Sequence, residues 1–131
     1  MRDSEWRNFF SICSQILGDG GRPSPPDSST WCSWTTFSRL KIDAGYWQAG
    51  LPTSADLLEN GTTDGGAWGQ PFLYRDLSHI LIPCEFYWEI ISHEKFECGN
   101  KPQDIDALSA ALTRSKIDHR KTDLVLEIKL Y

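Results

Sequence analysis

An α+β fold, a mainly antiparallel sheet with an N-terminal helix and a late helix packed on it, is what this sequence predicts. Helical apolar stripes occur near both ends, period-two runs fall between and after them, and Gly, Pro, Asn and Asp punctuate the joins. At 131 residues, with 40% hydrophobic and 24% charged side chains, the chain suits one domain over residues 1–131. Six tryptophans, six phenylalanines and four tyrosines supply more core-forming surface than a disordered chain carries. No apolar run approaches the ~20 residues of a membrane span, and residues 80–91 are interrupted by Pro83, Cys84 and Glu85. Residues 1–12 hold Asp3 and Glu5 and no apolar signal core, so a cytoplasmic protein without a membrane partner is expected.

Ser4 can cap a first helix whose Trp6, Phe9, Phe10, Cys13, Ile16 and Leu17 form one stripe, stopped by Gly18. Residues 18–29, with Gly20, Gly21, Pro23, Pro25 and Pro26, read as a loop, because Pro and Gly deny both helix and ladder bonds. Residues 30–37 are aromatic and β-branched, a strand with Trp31, Ser33, Thr35 and Phe37 on one face and Cys32, Trp34 and Thr36 on the other. Turn signals at 51–52 and 60–66 flank residues 54–59, either a helical turn or an edge strand. Strands are expected over 67–74, 79–82 and 86–91. A second helix is expected over 102–115, with Pro102 in its first turn, Asp104 and Asp106 at the positive end of the dipole, and Ile105, Leu108, Ala111 and Leu112 along one face. Residues 122–131 place Leu124, Leu126, Ile128 and Leu130 on one side of a last strand.

The net charge of -5 is unevenly spread. Each end carries a small positive balance, while residues 42–100 hold Asp43, Asp56, Glu59, Asp64, Asp76, Glu85, Glu89, Glu94 and Glu97 against Arg75 and Lys95 alone. Residues 42–74 contain no Lys or Arg at all, so the surface they form repels phosphate backbones and attracts cations or basic proteins, which disfavours nucleic acid as a partner. The bland alternative is an acidic surface that only keeps the protein in solution. Cys13, Cys32, Cys84 and Cys98 contain no C-x-x-C pair, so they read as buried small hydrophobes rather than a metal or redox set.

No catalytic signature stands out. His79, His93 and His119 are the residues an acid–base or metal-dependent hydrolase would use, yet none lies in a known motif, and His93-Glu94 with Glu97 lacks the second histidine of a helical zinc site. Glu85 and Glu89, four apart on a strand, would stand about 13 Å from each other, beyond glycosidase spacing. The aromatics near the acidic centre, Tyr46, Trp47 and Trp68, fit an interface in which rigid rings give buried area and nearby carboxylates pair with basic groups; the alternative is that they fill the core.

The succession Phe72-Leu73-Tyr74-Arg75-Asp76-Leu77, His79-Ile80-Leu81-Ile82-Pro83, Phe86-Tyr87-Trp88-Glu89, Lys95-Phe96-Glu97, Gln103-Asp104-Ile105 and the closing Thr122-Asp123-Leu124-Val125-Leu126-Glu127-Ile128-Lys129-Leu130-Tyr131 resembles a family of small, mostly uncharacterised bacterial cytosolic proteins. Some of these are associated with immunity to polymorphic toxins, as in contact-dependent growth inhibition. The resemblance covers residues 72–131 and implies no cofactor and no catalytic residue. It leads to the expectation of an immunity protein that occludes a cognate toxin, a basic nuclease domain, through Asp43, Asp56, Glu59 and Asp64 as pairing groups and Tyr46, Trp47 and Trp68 as anchors. Two other classes stay open: the histidine-centred hydrolase, and a structural subunit that dimerises through the strand at 126–131.

Overall fold

The first helix takes its length from its stripe and its ends from two local bonds. The computed structural model describes residues 1–20, 25–63 and 71–131, and within them α1 spans Asp3–Leu17 with Trp6, Phe9, Phe10 and Cys13 buried. Glu5 reaches back to Arg2, accepting from its main-chain N–H at 3.4 Å and its Nε at 2.8 Å, so Arg2 and not Ser4 is the N-cap. The same guanidinium holds the Glu5 carboxyl below its usual range. Gly18 stops the helix at φ +97, a conformation strained for any other residue, with its N–H on the Ser14 carbonyl at 3.1 Å.

The remaining elements are β1 (Cys32–Thr36), α2 (Phe37–Ile42), β2 (Trp47–Ala49), β3 (Gly61–Thr62), β4 (Phe72–Leu73), β5 (Leu77–Pro83), β6 (Glu85–Ile91), β7 (Phe96–Pro102), α3 (Ile105–Arg114), β8 (Arg120–Lys121) and β9 (Val125–Lys129). A five-stranded antiparallel sheet runs in the order β2-β1-β5-β9-β8, while β3 pairs β4 and β6 pairs β7. The expected α+β fold, a mainly antiparallel sheet with an N-terminal and a late helix, is therefore the one observed.

Strand periodicity sorts the large sheet into two faces. Trp34, Ile80, Ile82, Leu126 and Ile128 point inward, buried with Trp6, Phe9 and Phe10 of α1 and Leu108 and Leu112 of α3. Each such side chain contributes ~1.5–3 kcal/mol by leaving water. Ser33, Thr35, His79, Leu81, Glu127 and Lys129 share the other face by register. Within α1, Trp6 stacks on Phe10 at 5.7 Å and meets Phe9 edge-on, also at 5.7 Å, and Phe10 lies 6.2 Å from the Tyr74 ring, so the helix meets its neighbour through ring contact as well as area.

Several boundaries differ from expectation for local reasons. Phe37 starts α2 instead of ending β1, because the Thr36 hydroxyl accepts the Arg39 N–H at 3.2 Å and turns the chain. Residues 54–56 form a 3-10 turn, resolving the alternative left open there. Of the strand expected over 67–74, residues 67–70 lie outside the described residues, Phe72–Leu73 is β4, and Tyr74–Asp76 is a 3-10 turn whose Tyr74 hydroxyl donates to the Leu58 carbonyl at 2.8 Å. Pro102 closes β7 rather than opening a helix, since Asp104 caps α3 by accepting the Ala107 N–H at 2.9 Å. Leu124 is exposed in the turn that precedes β9. Cys13 and Cys32 are buried, and burial pushes both thiols above their ordinary range; Cys98, expected in the core, is exposed on β7.

Among the described residues, the β6–β7 hairpin is tied down at its base. Phe86 stacks on Trp31 at 6.1 Å, and the Lys101 ammonium donates to the carbonyls of Pro26 at 2.6 Å and Ser28 at 2.9 Å. The buried Gln103 amide accepts the Trp31 N–H at 3.0 Å and donates to the Trp31 and Pro83 carbonyls at 2.9 and 3.0 Å. Beyond that base, residues 89–98 are all exposed. Midway, the Trp88 indole covers Gly99, where an added Cβ would come within 3.0 Å of Nε1. The glycine gives the ring its seat.

Candidate functional site

Among the described residues, those expected to form the binding surface do not come together as one. Asp43 ends α2, and its Oδ1 accepts Arg39 Nε at 3.3 Å and the Gly45 N–H at 2.9 Å. Asp56 is only 6% exposed and accepts both the main-chain N–H and the hydroxyl of Thr53 at 3.0 Å, which removes it from any interface. Trp47 packs inward, 5.5 Å from Trp34 and 5.3 Å from Phe72, with the Arg39 guanidinium 3.8 Å above its ring. It is a core-edge residue, not an anchor. Glu59 is exposed, and its carbonyl accepts from Arg7. Asp64 and Trp68 lie outside the described residues.

Tyr46 points to the opposite side of the sheet from Trp47. Its hydroxyl is hydrogen-bonded to His79 Nδ1 at 2.8 Å and to the Tyr131 hydroxyl at 3.1 Å, while His79 Nε2 lies 2.6 Å from Glu127 Oε2. Cross-strand register between β5 and β9 brings His79 and Glu127 together. Burial, then the Tyr131 hydroxyl and the Glu127 carboxylate, pushes the Tyr46 phenol up to about 12, so it stays protonated near neutrality and offers no tyrosinate base. The second histidine, His119, donates from Nδ1 to the Ile117 carbonyl at 2.8 Å and accepts the Ser109 hydroxyl on Nε2 at 2.7 Å. It lines a cleft of about 600 Å³ with Lys116, Arg120, Glu127 and Lys129. His93 is exposed in the β6–β7 turn. Among the described residues, no three His, Cys, Asp or Glu side chains gather as metal ligands would, and no helix is long and apolar enough to cross a membrane.

The raised phenol has a pH signature. A proton held more tightly in the folded state than in the unfolded chain gives stability that is complete below about pH 10 and lost as pH rises through about 12. Subtracting the alkaline absorbance titration of Tyr46→Phe from that of the wild type should show one phenol ionising near pH 12. A difference curve centred near pH 10 would contradict the Tyr46–His79–Tyr131 geometry.

The surface the sequence did not single out is the outer face of the hairpin. Register places Glu85, Tyr87, Glu89 and Ile91 of β6 with Phe96, Cys98 and Asn100 of β7 on one side. Tyr87 is 53% exposed, Ile91 74% and Phe96 57%, while Glu85 and Glu89 are exposed beside them. The Tyr87 hydroxyl donates to Glu89 Oε2 at 2.9 Å, and this acceptor is the main reason its phenol is pushed up to about 12. Glu94 and Glu97 add charge near the turn, where Lys95 pairs Glu97 at 2.7 Å. Much of the central acidity thus sits on a projecting ribbon that also carries unburied aromatic and aliphatic side chains. Its signal in the sequence was the conjunction of Tyr87, Ile91 and Phe96 with four nearby glutamates.

Comparison with family models, curated proteins and solved structures finds no match to this chain.

Proposed function

We propose that this protein binds and neutralises a basic protein toxin, the immunity role the resemblance suggested, and that it does so through the hairpin rather than through residues 43–68. The observation that carries this reading is the outer hairpin face, where three large apolar side chains stand exposed among carboxylates. Exposed apolar clusters rimmed by charge are characteristic of interaction sites, whereas single exposed apolar residues are not. The sign of the rim selects the partner: a nucleic acid is repelled, and a second copy would bring Glu85 and Glu89 against their equals, while a cationic protein is steered onto the face and held by its rings. A toxin that grips nucleic acid has such a cationic surface, and covering it competes with substrate.

Co-expression with the variable C-terminal domain of a large secreted protein encoded immediately upstream tests the role. Growth should be restored, and the purified pair should bind with an affinity that falls as salt rises. A metabolic operon in that position, or a hydrolytic activity abolished by His79→Ala or His119→Ala, would overturn it.

A further inference from the structure

The hairpin has an open side as well as an open face. The Ser92 N–H donates to the Lys95 carbonyl at 3.0 Å and the Gln103 N–H to the Cys84 carbonyl at 2.8 Å, which sets the phase of the ladder between them. In an antiparallel pair, hydrogen-bonded and non-bonded residues alternate. Glu97, Gly99 and Lys101 therefore turn their main-chain groups toward β6, and Phe96, Cys98 and Asn100 turn theirs away from it. No other strand pairs with β7 among the described residues, and these three residues are exposed. Their N–H and C=O groups form a row of unused donors and acceptors directly beside the exposed apolar face.

A two-stranded ribbon with an unpaired edge is a template for a further strand. Resting on the partner reading above, we infer that the basic partner contributes an extended segment that pairs with the outer edge of β7, making the hairpin a three-stranded sheet. The side chains of that segment are specified by register. Those facing the same way as Phe96, Cys98 and Asn100 extend the apolar strip of Tyr87, Ile91 and Phe96, so they are apolar; those facing the same way as Glu97 meet its carboxylate, so they are lysine or arginine. Main-chain bonds supply pairing, and the alternation supplies selection. A second copy of this chain is the other possible occupant, disfavoured because its own hairpin is acidic.

The edge can be disabled without breaking the hairpin. Proline at position 98 removes an outward N–H and leaves every inward ladder bond intact, whereas at position 99 it would remove an inward one. In the free protein, the amides of Phe96, Cys98 and Asn100 should exchange with solvent much faster than those of Glu97, Gly99 and Lys101. A seven-residue peptide of alternating lysine and valine, added to the 15N-labelled protein, should shift and protect those three fast amides, and Cys98→Pro should weaken its binding at least tenfold while keeping the wild-type spectrum elsewhere. Asn100→Pro serves if Cys98→Pro does not fold. Equal binding by the proline variant, no saturable binding, or protection at the β2 or β8 edge instead would refute the edge assignment, as would a dimer in light scattering that the proline variant dissolves. Charge-reversed Glu85→Lys/Glu89→Lys protein separates the two levels. If it binds a basic partner as the wild type does, the charged face fails; if it loses binding while Cys98→Pro retains it, the face stands and the edge fails.

Discussion

Glu85→Lys combined with Glu89→Lys is expected to weaken capture of a basic partner about 100-fold, equivalent to ~2.7 kcal/mol, with unfolding free energy unchanged to within ~0.5 kcal/mol. The two effects separate because both carboxylates are exposed on β6 and make no ion pair among the described residues. Glu89 does lose the Tyr87 hydroxyl at 2.9 Å, but an exposed hydrogen bond is exchanged for water at little cost. Most of the affinity should vanish from the association rate, because reversed charge opposes approach before any ring is buried. Calorimetry at two salt concentrations reads both quantities: the wild type should lose affinity as salt rises and the double variant should not. Tyr87→Ala should instead speed dissociation, since it removes buried area and leaves the rim charge in place. Equal affinity of the charge-reversed and wild-type proteins would remove the acidic face from the binding reaction.

A second large effect lies in the core. Trp6→Ala should cost ~3–5 kcal/mol, because a fully buried indole stacked on Phe10 and set edge-on to Phe9 leaves a cavity that two rings cannot collapse to fill. A small domain holds only about 5–15 kcal/mol in total, so this change alone brings it near unfolding. Trp6→Phe should cost distinctly less. It keeps a ring on Phe10 and deletes the indole N–H, which is buried without a hydrogen-bond partner among the described residues. Denaturant melts of the three proteins decide the point, and a phenylalanine variant as unstable as the alanine one would show that shape, not the unpaired N–H, dominates at this position.

How much of this was legible depends on whether an element buries a face. The stripe from Trp6 to Leu17 and the alternation around Leu126 and Ile128 report a core on one side, and both elements stand where that pattern put them. β7 buries neither face near the hairpin turn: Phe96, Glu97 and Cys98 are all exposed, so no period-two contrast was written into it. α2 is six residues long, too short for a stripe, and its cap Thr36 hides in a β-branched run. The candidate site followed the same logic. Charge totals located acidity in the middle of the chain but could not say which carboxylates the backbone would consume. Thr53-x-x-Asp56 has the spacing of a reciprocal cap and would have marked Asp56 as internal. Glu85 and Glu89 stand too far apart along β6 for a catalytic pair, but the same strand spacing, two residues per repeat, is what puts both on one face with Tyr87 and Ile91.

The Gln103 amide gives the ribbon a fixed bearing. By bonding at once to both main-chain groups of Trp31 and to the Pro83 carbonyl, it behaves as a short rung welded between the end of the large sheet and the root of the projecting arm. These bonds oppose a swivel of the arm at its root. A partner docking at that tip would meet a target already aimed, and the entropy lost would be that of a few side chains rather than of a swinging lever.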